Sequence, residues 1–133
     1  MYRVVRSSDD FEGMDKYDKR QFARRTSDPN VLENLASDKD YNVRAAVAFN
    51  ENTPNRILEK LAEDEEDFVR ETVASNENTS NDALEKLADD ISWRVRLNVA
   101  KNINTSPSIL EYLAEEGGQV GKCAMETLKY DES

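Results

Sequence analysis

The sequence predicts an all-α fold, a solenoid of about four two-helix repeats, and three observations carry that reading. The stretch from Asn52 to Asn76, NTPNRILEKLAEDEEDFVRETVASN, returns twenty-six residues later, from Asn78 to Asn102, as NTSNDALEKLADDISWRVRLNVAKN. Ser27 to Asn50 holds the same frame without its first residue. Within each unit the apolar residues recur three and four apart, the spacing of one face of a helix. A leader and helical cap over 1–26 are expected to precede an array over 27–133, divided as 27–52, 53–78, 79–104 and 105–133.

The elements follow in order. Tyr2, Val4 and Val5 suggest a short extended piece and Ser7 to Gly13 a loop. Tyr17, Gln21, Phe22 and Ala23 give Asp15 to Arg25 a weak helical face. Phe22-Ala23 falls where Val47-Ala48 stands and Lys19 where Arg44 stands, so this segment reads as a degenerate half-repeat. Ser27, Thr53, Thr79 and Thr105 sit where a helix N-cap is wanted, with Pro54 at the first helical position and Pro29 and Pro107 one residue deeper. Leu32, Leu58, Leu84 and Leu110, then Leu35, Leu61, Leu87 and Leu113, then Ala36, Ala62, Ala88 and Ala114 make the buried face of the first helix.

Asp38, Asp64, Asp90 and Glu116 mark the turn that follows. The second helix carries Val43, Val69 and Val95, then Val47, Val73 and Val99, and closes on Asn50, Asn76 and Asn102, a residue type that tolerates the left-handed backbone common past helix ends. In the last unit Gly121 stands in the valine column, Lys122 and Met125 match the arginine and second valine columns, and Leu128 replaces the asparagine. A final helix is expected from about Lys122 to Tyr130, with Asp131 to Ser133 frayed.

Hydrophobic residues make up 38% and charged residues 35%. Without the repeat such a balance stands near the edge of disorder. Residues 1–25 hold seven Lys or Arg against five Asp or Glu, and residues 26–133 hold eleven against twenty-three, so a mildly basic leader (+2) precedes an acidic array (−12) within a total of −10. That acidity disfavours direct binding of nucleic acid and suits either a basic partner or plain solubility. The chain has no histidine, and Cys123 is its one cysteine, which excludes an internal disulfide, the usual catalytic triads and histidine- or cysteine-rich metal sites. No cofactor is expected. The first residues lack the apolar core of a signal peptide and no apolar run reaches a membrane span, so a cytoplasmic protein is expected, as a monomer.

Several columns carry polar chemistry. Arg44, Arg70, Arg96 and Lys122 recur once per unit, and two readings stand: a basic ladder along a phosphate backbone, or internal ion pairs with Asp38, Asp64, Asp90 and Glu116, each six residues earlier, that tie the units in register. Asn50, Asn76 and Asn102, with Asn52, Asn78 and Asn104, either present amides to a peptide or satisfy the chain's own loops. Glu33, Glu59, Glu85 and Glu111 lie between the core leucines at an outward angle and form a row. Glu63, Glu65, Glu66 and Asp67 add a dense acidic patch. Such a surface is a candidate for meeting a basic partner or for imitating nucleic-acid phosphates, against the alternative of a solvated face. Tyr41 and Trp93 occupy one position in their units and are either interface anchors or plugs of the turn. For catalysis the nearest arrangement is Trp93 beside Asp89 and Asp90, an aromatic next to acids; no two of the many carboxylates stand out as a pair.

The consensus NxTxxxxLExLAxDxxxxVRxxVAxN over about residues 27–128 resembles the leucine-rich repeat variant family, a relative of the HEAT and armadillo solenoids. The resemblance implies a bacterial protein with a right-handed superhelix of paired helices, one of each pair short and 3₁₀-like. A member of that family carries an N-terminal iron–sulfur cluster on several cysteines, which this chain lacks. The family has no common catalytic residues to carry over, so the resemblance implies a fold and leaves a non-catalytic protein-binding module as the expected function.

Overall fold

A computed structural model describes residues 13–132, and the expected extended piece at Tyr2 to Val5 and most of the Ser7 to Gly13 loop lie outside them. Every regular element among the described residues is helical: α1 (Lys16–Arg25), α2 (Pro29–Leu35), α3 (Tyr41–Phe49), α4 (Asn55–Leu61), α5 (Asp67–Ser75), α6 (Asn81–Leu87), α7 (Trp93–Lys101), α8 (Pro107–Ala114) and α9 (Gly118–Glu132). The odd-numbered helices pack in succession, α1 on α3, α3 on α5, α5 on α7 and α7 on α9, and each even-numbered helix touches the odd helices on either side of it in the chain.

The even helices are seven or eight residues long, too short to persist alone. They hold because Leu32, Leu58, Leu84 and Leu110, with Leu35, Leu61, Leu87 and Leu113, are buried against the valines of the odd helices. Each buried leucine contributes about 1.5–3 kcal/mol relative to an exposed one. These short helices are α-helical, which corrects the 3₁₀ form that the family resemblance implies.

Four local expectations are corrected. The N-caps are Asp28, Pro54, Ser80 and Ser106, one residue after the Ser/Thr column. The threonines are buried instead and look backward: Thr53, Thr79 and Thr105 donate their hydroxyls to the carbonyls of Val47, Val73 and Val99 at 2.6, 2.6 and 2.8 Å, closing the end of the preceding helix. Pro54 is accordingly a cap, while Pro29 and Pro107 are the first helical residues. Asn50, Asn76 and Asn102 cap their helices in extended backbone with φ between −66° and −76°, since no left-handed turn is needed where the chain simply continues into the next hairpin.

The last unit is shifted by one residue. α9 begins at Gly118, earlier than expected, because Gly117 and Gly118 at φ 75° and 60° turn the chain directly out of α8, and it runs on to Glu132. Val120 and Ala124 fill the valine columns, leaving Met125 and Lys122 exposed. Thr127, not Leu128, takes the asparagine's place, its hydroxyl donating to the Ala100 carbonyl at 2.6 Å.

Candidate functional site

Two polar ladders run through the stack. In the first, Asn50 Nδ2 donates to the carbonyls of Ala23 and Thr26, Asn76 Nδ2 to those of Ala48 and Asn50, and Asn102 Nδ2 to those of Ala74 and Asn76, all within 2.7–3.2 Å. Each Oδ1 accepts from the backbone N–H two residues on, at Asn52, Asn78 and Asn104. The buried amides are thus consumed by the chain itself and present nothing to a peptide.

The second ladder corrects the expected pairing. Arg44 does reach back six residues, but to the backbone carbonyl of Asp38, at 2.8 Å. Its carboxylate partner is Asp64 of the following hairpin, held through Nε and Nη2 at 2.8 and 3.2 Å. Arg70 does the same with Asp64 carbonyl and Asp90, and Arg96 with Asp90 carbonyl and Glu116. Lys19 starts the series on Asp38. The short turn before α9 moves Lys122 out of the column. A guanidinium fork holds the carboxylate through two nitrogens and the carbonyl through the third in one rigid plane, a geometry that the single nitrogen of a lysine does not reproduce. The hydrogen bonds that Arg44 and Arg70 donate to Asp64 and Asp90 raise their pKa above the already high ordinary value. Asp38, Asp64 and Asp90 also accept from the N–H of residues 40, 66 and 92, so the same carboxylates shape the turns.

With those carboxylates neutralised, the free charge lies elsewhere. Glu33, Glu59, Glu85 and Glu111 are all exposed on α2, α4, α6 and α8, as expected. Glu33 meets Arg56 at 2.8 Å on the surface, so the row is weakened at its start. Glu59, Asp82, Glu85, Asp89, Glu111 and Glu115 have no lysine or arginine nitrogen within 4.0 Å among the described residues. Glu59, Asp82, Glu85 and Asp89 line one shallow groove between α4 and α6, with Lys86 as its cation. Glu85 and Asp89 continue into a second groove toward α8, where the Tyr112 hydroxyl donates to the Asp89 carboxylate. That bond holds the phenol proton and raises the Tyr112 pKa.

Sequence reasoning missed Asp82 and Tyr112, and singled out Asp89 only as an acid beside Trp93. A signal for the tyrosine exists, because Tyr112 directly follows Glu111 of the row and occupies a place held by Lys60 and Lys86 in the units before it.

Tyr41, Asp67 and Trp93 begin α3, α5 and α7, and the packing order of those helices sets the Glu63 to Asp67 patch between the two aromatics along one edge. Glu63, Glu65 and Asp67 are exposed and Glu66 is half-buried as the cap of α5. Tyr41 and Trp93 are 43% and 49% exposed, each about half covered. Tyr41 meets Phe68 edge-on with ring centroids 6.2 Å apart, and Trp93 lies under Arg94. Asp89 accepts from the Tyr112 hydroxyl and Asp90 from Arg70, so both acids are engaged away from Trp93. Among the described residues no cluster of three or more Cys, Asp or Glu is placed to hold a metal ion, and no helix is long and apolar enough to cross a membrane.

No protein-family model, curated protein or solved structure matches the chain.

Proposed function

We propose that the chain is a right-handed α-solenoid of the leucine-rich repeat variant type, a cytoplasmic monomer that acts as a non-catalytic protein-binding module through its acidic even-helix face. The observation that supports this reading is the division of the carboxylates. Those of the turn ladder are spent on Lys19 and the arginines, whereas Glu59, Asp82, Glu85, Asp89, Glu111 and Glu115 stand exposed with no lysine or arginine nitrogen within 4.0 Å among the described residues. A preformed row of this kind steers a basic partner and fixes its register with little ordering entropy. The partner is a protein with a basic groove, and Trp93 and Tyr41 supply apolar anchors at the edge of the patch.

The recurrence of one glutamate per hairpin favours a second reading, in which the row imitates phosphates and blocks a protein that binds DNA or RNA. One experiment addresses both. The tagged chain and its Asp82→Asn/Glu85→Gln/Asp89→Asn variant are used to capture partners from the native cell extract at low and moderate salt. The reading expects a protein held by the wild-type chain and lost by the neutralised one. Loss at moderate salt together with competition by DNA or RNA selects the mimic. Equal capture by both chains overturns the acidic face as the site.

A further inference from the structure

The odd helices diverge at their fifth and sixth residues. α5 has Glu71 and Thr72 there and α7 has Leu97 and Asn98, but α3 has Ala45 and Ala46. Packing of the framework does not demand small residues, since two of the three helices carry larger ones. In α3 the two methyl groups floor an open groove of about 380 Å³, walled by Phe49 and Phe68 and rimmed by Arg20 and Arg24 of α1.

Its chemistry is opposite to that of the even-helix face. The Arg24 guanidinium lies 4.5 Å from the centroid of the Phe49 ring, and Arg20 lies 5.8 Å from that of Tyr17. Neither has a carboxylate within 4.0 Å among the described residues, whereas every arginine of the turn ladder has one. Phe49 and Phe68 are 57% and 47% exposed, an apolar pair left open to solvent in a chain that is 35% charged.

We propose that this groove binds an acidic segment of a partner protein bearing an aromatic side chain. The ring enters between Phe49 and Phe68 over the alanine floor, where edge and face contacts add to the burial of apolar area. Carboxylates flanking the ring meet Arg20 and Arg24, which are already oriented by stacking on Tyr17 and Phe49. At the fifth position the leucine of α7 would fill such a groove, and the glutamate of α5 would both fill it and repel the ligand. The proposal is independent of the acidic face and would survive its failure.

The probe is a fluorescein-labelled peptide, Gly-Ser-Asp-Asp-Phe-Asp-Asp-Ser-Gly, titrated with the full chain by fluorescence anisotropy. Two control peptides replace the phenylalanine by serine and the aspartates by lysines. The expected result is saturable binding, weaker by about fivefold or more for the serine control and by about tenfold or more for the lysine control. Arg20→Glu/Arg24→Glu should weaken the parent peptide by about tenfold or more. Ala45→Glu/Ala46→Thr, which installs the residues of α5, should weaken it by about fivefold or more with an unchanged helical spectrum. If that variant does not fold, the arginine pair decides. No binding to the wild-type chain, equal binding of the lysine control, or full binding by either folded variant overturns the proposal. A dimer seen by light scattering that the arginine reversal dissociates also overturns it, by making a second copy's acidic surface the occupant.

Discussion

Arg70 and Asp90 lie twenty residues apart in the chain and in successive hairpins, yet Nε of one is 2.8 Å from Oδ2 of the other. The remaining arm of the guanidinium donates to the Asp64 carbonyl, and Asp64 in turn takes Arg44. Each arginine therefore fixes the turn of its own hairpin to the turn of the next. The contact is local in space and long-range in sequence, which makes it a register device for a stack whose core residues are nearly the same in every layer.

Arg70→Ala should lower stability by about 2 kcal/mol, between the small value of an exposed pair and the 3–5 kcal/mol of a buried one, because the two side chains keep 13% and 9% of their exposure. For a chain of this length that is roughly a 6–10 °C fall in melting temperature. Arg56→Ala, which removes the surface pair with Glu33, should change it by less than about 2 °C. Thermal melts of the two variants side by side check this, and equal shifts would deny the ladder its structural role.

Asn76 offers a sharper contrast with the exposed Asn52 of the preceding hairpin. Its Nδ2 donates to two carbonyls while Oδ1 takes the Asn78 N–H, and the side chain is buried. Asn76→Asp turns both donors into repulsions and should cost about 3 kcal/mol at neutral pH, less in acid where the carboxyl regains a donor. Asn52→Asp, on the exposed surface, should be within about 0.5 kcal/mol of wild type. Urea unfolding of both at pH 7 and pH 5 measures the difference, and a penalty at position 76 that does not shrink in acid would contradict the assigned amide orientation.

Much of the core was legible because its period repeats. The leucine, valine and alanine columns need only the three-and-four spacing, and all of the named leucines are buried. What spacing cannot give is direction. Thr53 looks like an N-cap in sequence, but its hydroxyl points to the helix behind it, and both roles satisfy orphan helix-end groups at nearly the same chain position. Arg44 lies six residues after Asp38 and twenty before Asp64, and only the packed turns decide which carboxylate it meets. The shift of α9 was hidden for the same reason, since Gly117 and Gly118 spend fewer residues on the turn and Val120 takes the valine column in which Gly121 was expected. The α3 groove depends on Ala45 and Ala46, which are buried but stand outside the repeated leucine and valine columns, and only the absence of a larger side chain makes them a floor.

Glu71 is the carboxyl whose protonation should register in stability. Partial burial first, and the Asp67 charge second, raise its pKa above the ordinary value of 4.5, with Arg94 acting in the other direction. A raised carboxyl binds its proton more tightly in the folded chain, so stability falls as pH rises from the unfolded value through the folded one. Glu71→Gln should therefore be more stable than wild type at pH 7 and should lose that advantage near pH 4, where both side chains are neutral. Urea midpoints across this range provide the test, and an advantage that grows toward acid would reverse the assignment.

Gly121 reverses a general rule. Alanine in a helix interior is ordinarily better than glycine by about 1 kcal/mol. Here a Cβ would stand 2.9 Å from the Ala114 carbonyl oxygen and 3.6 Å from its carbon, and both atoms are backbone of α8. They cannot turn aside as a side-chain tip does, so α9 would have to move away from α8 and loosen Val120 and Ala124 in the core. Gly121→Ala should thus lower stability by about 1–2 kcal/mol despite its propensity gain. Denaturant melts give the sign directly, and a stabilised variant would mean that α8 and α9 do not approach this closely in solution.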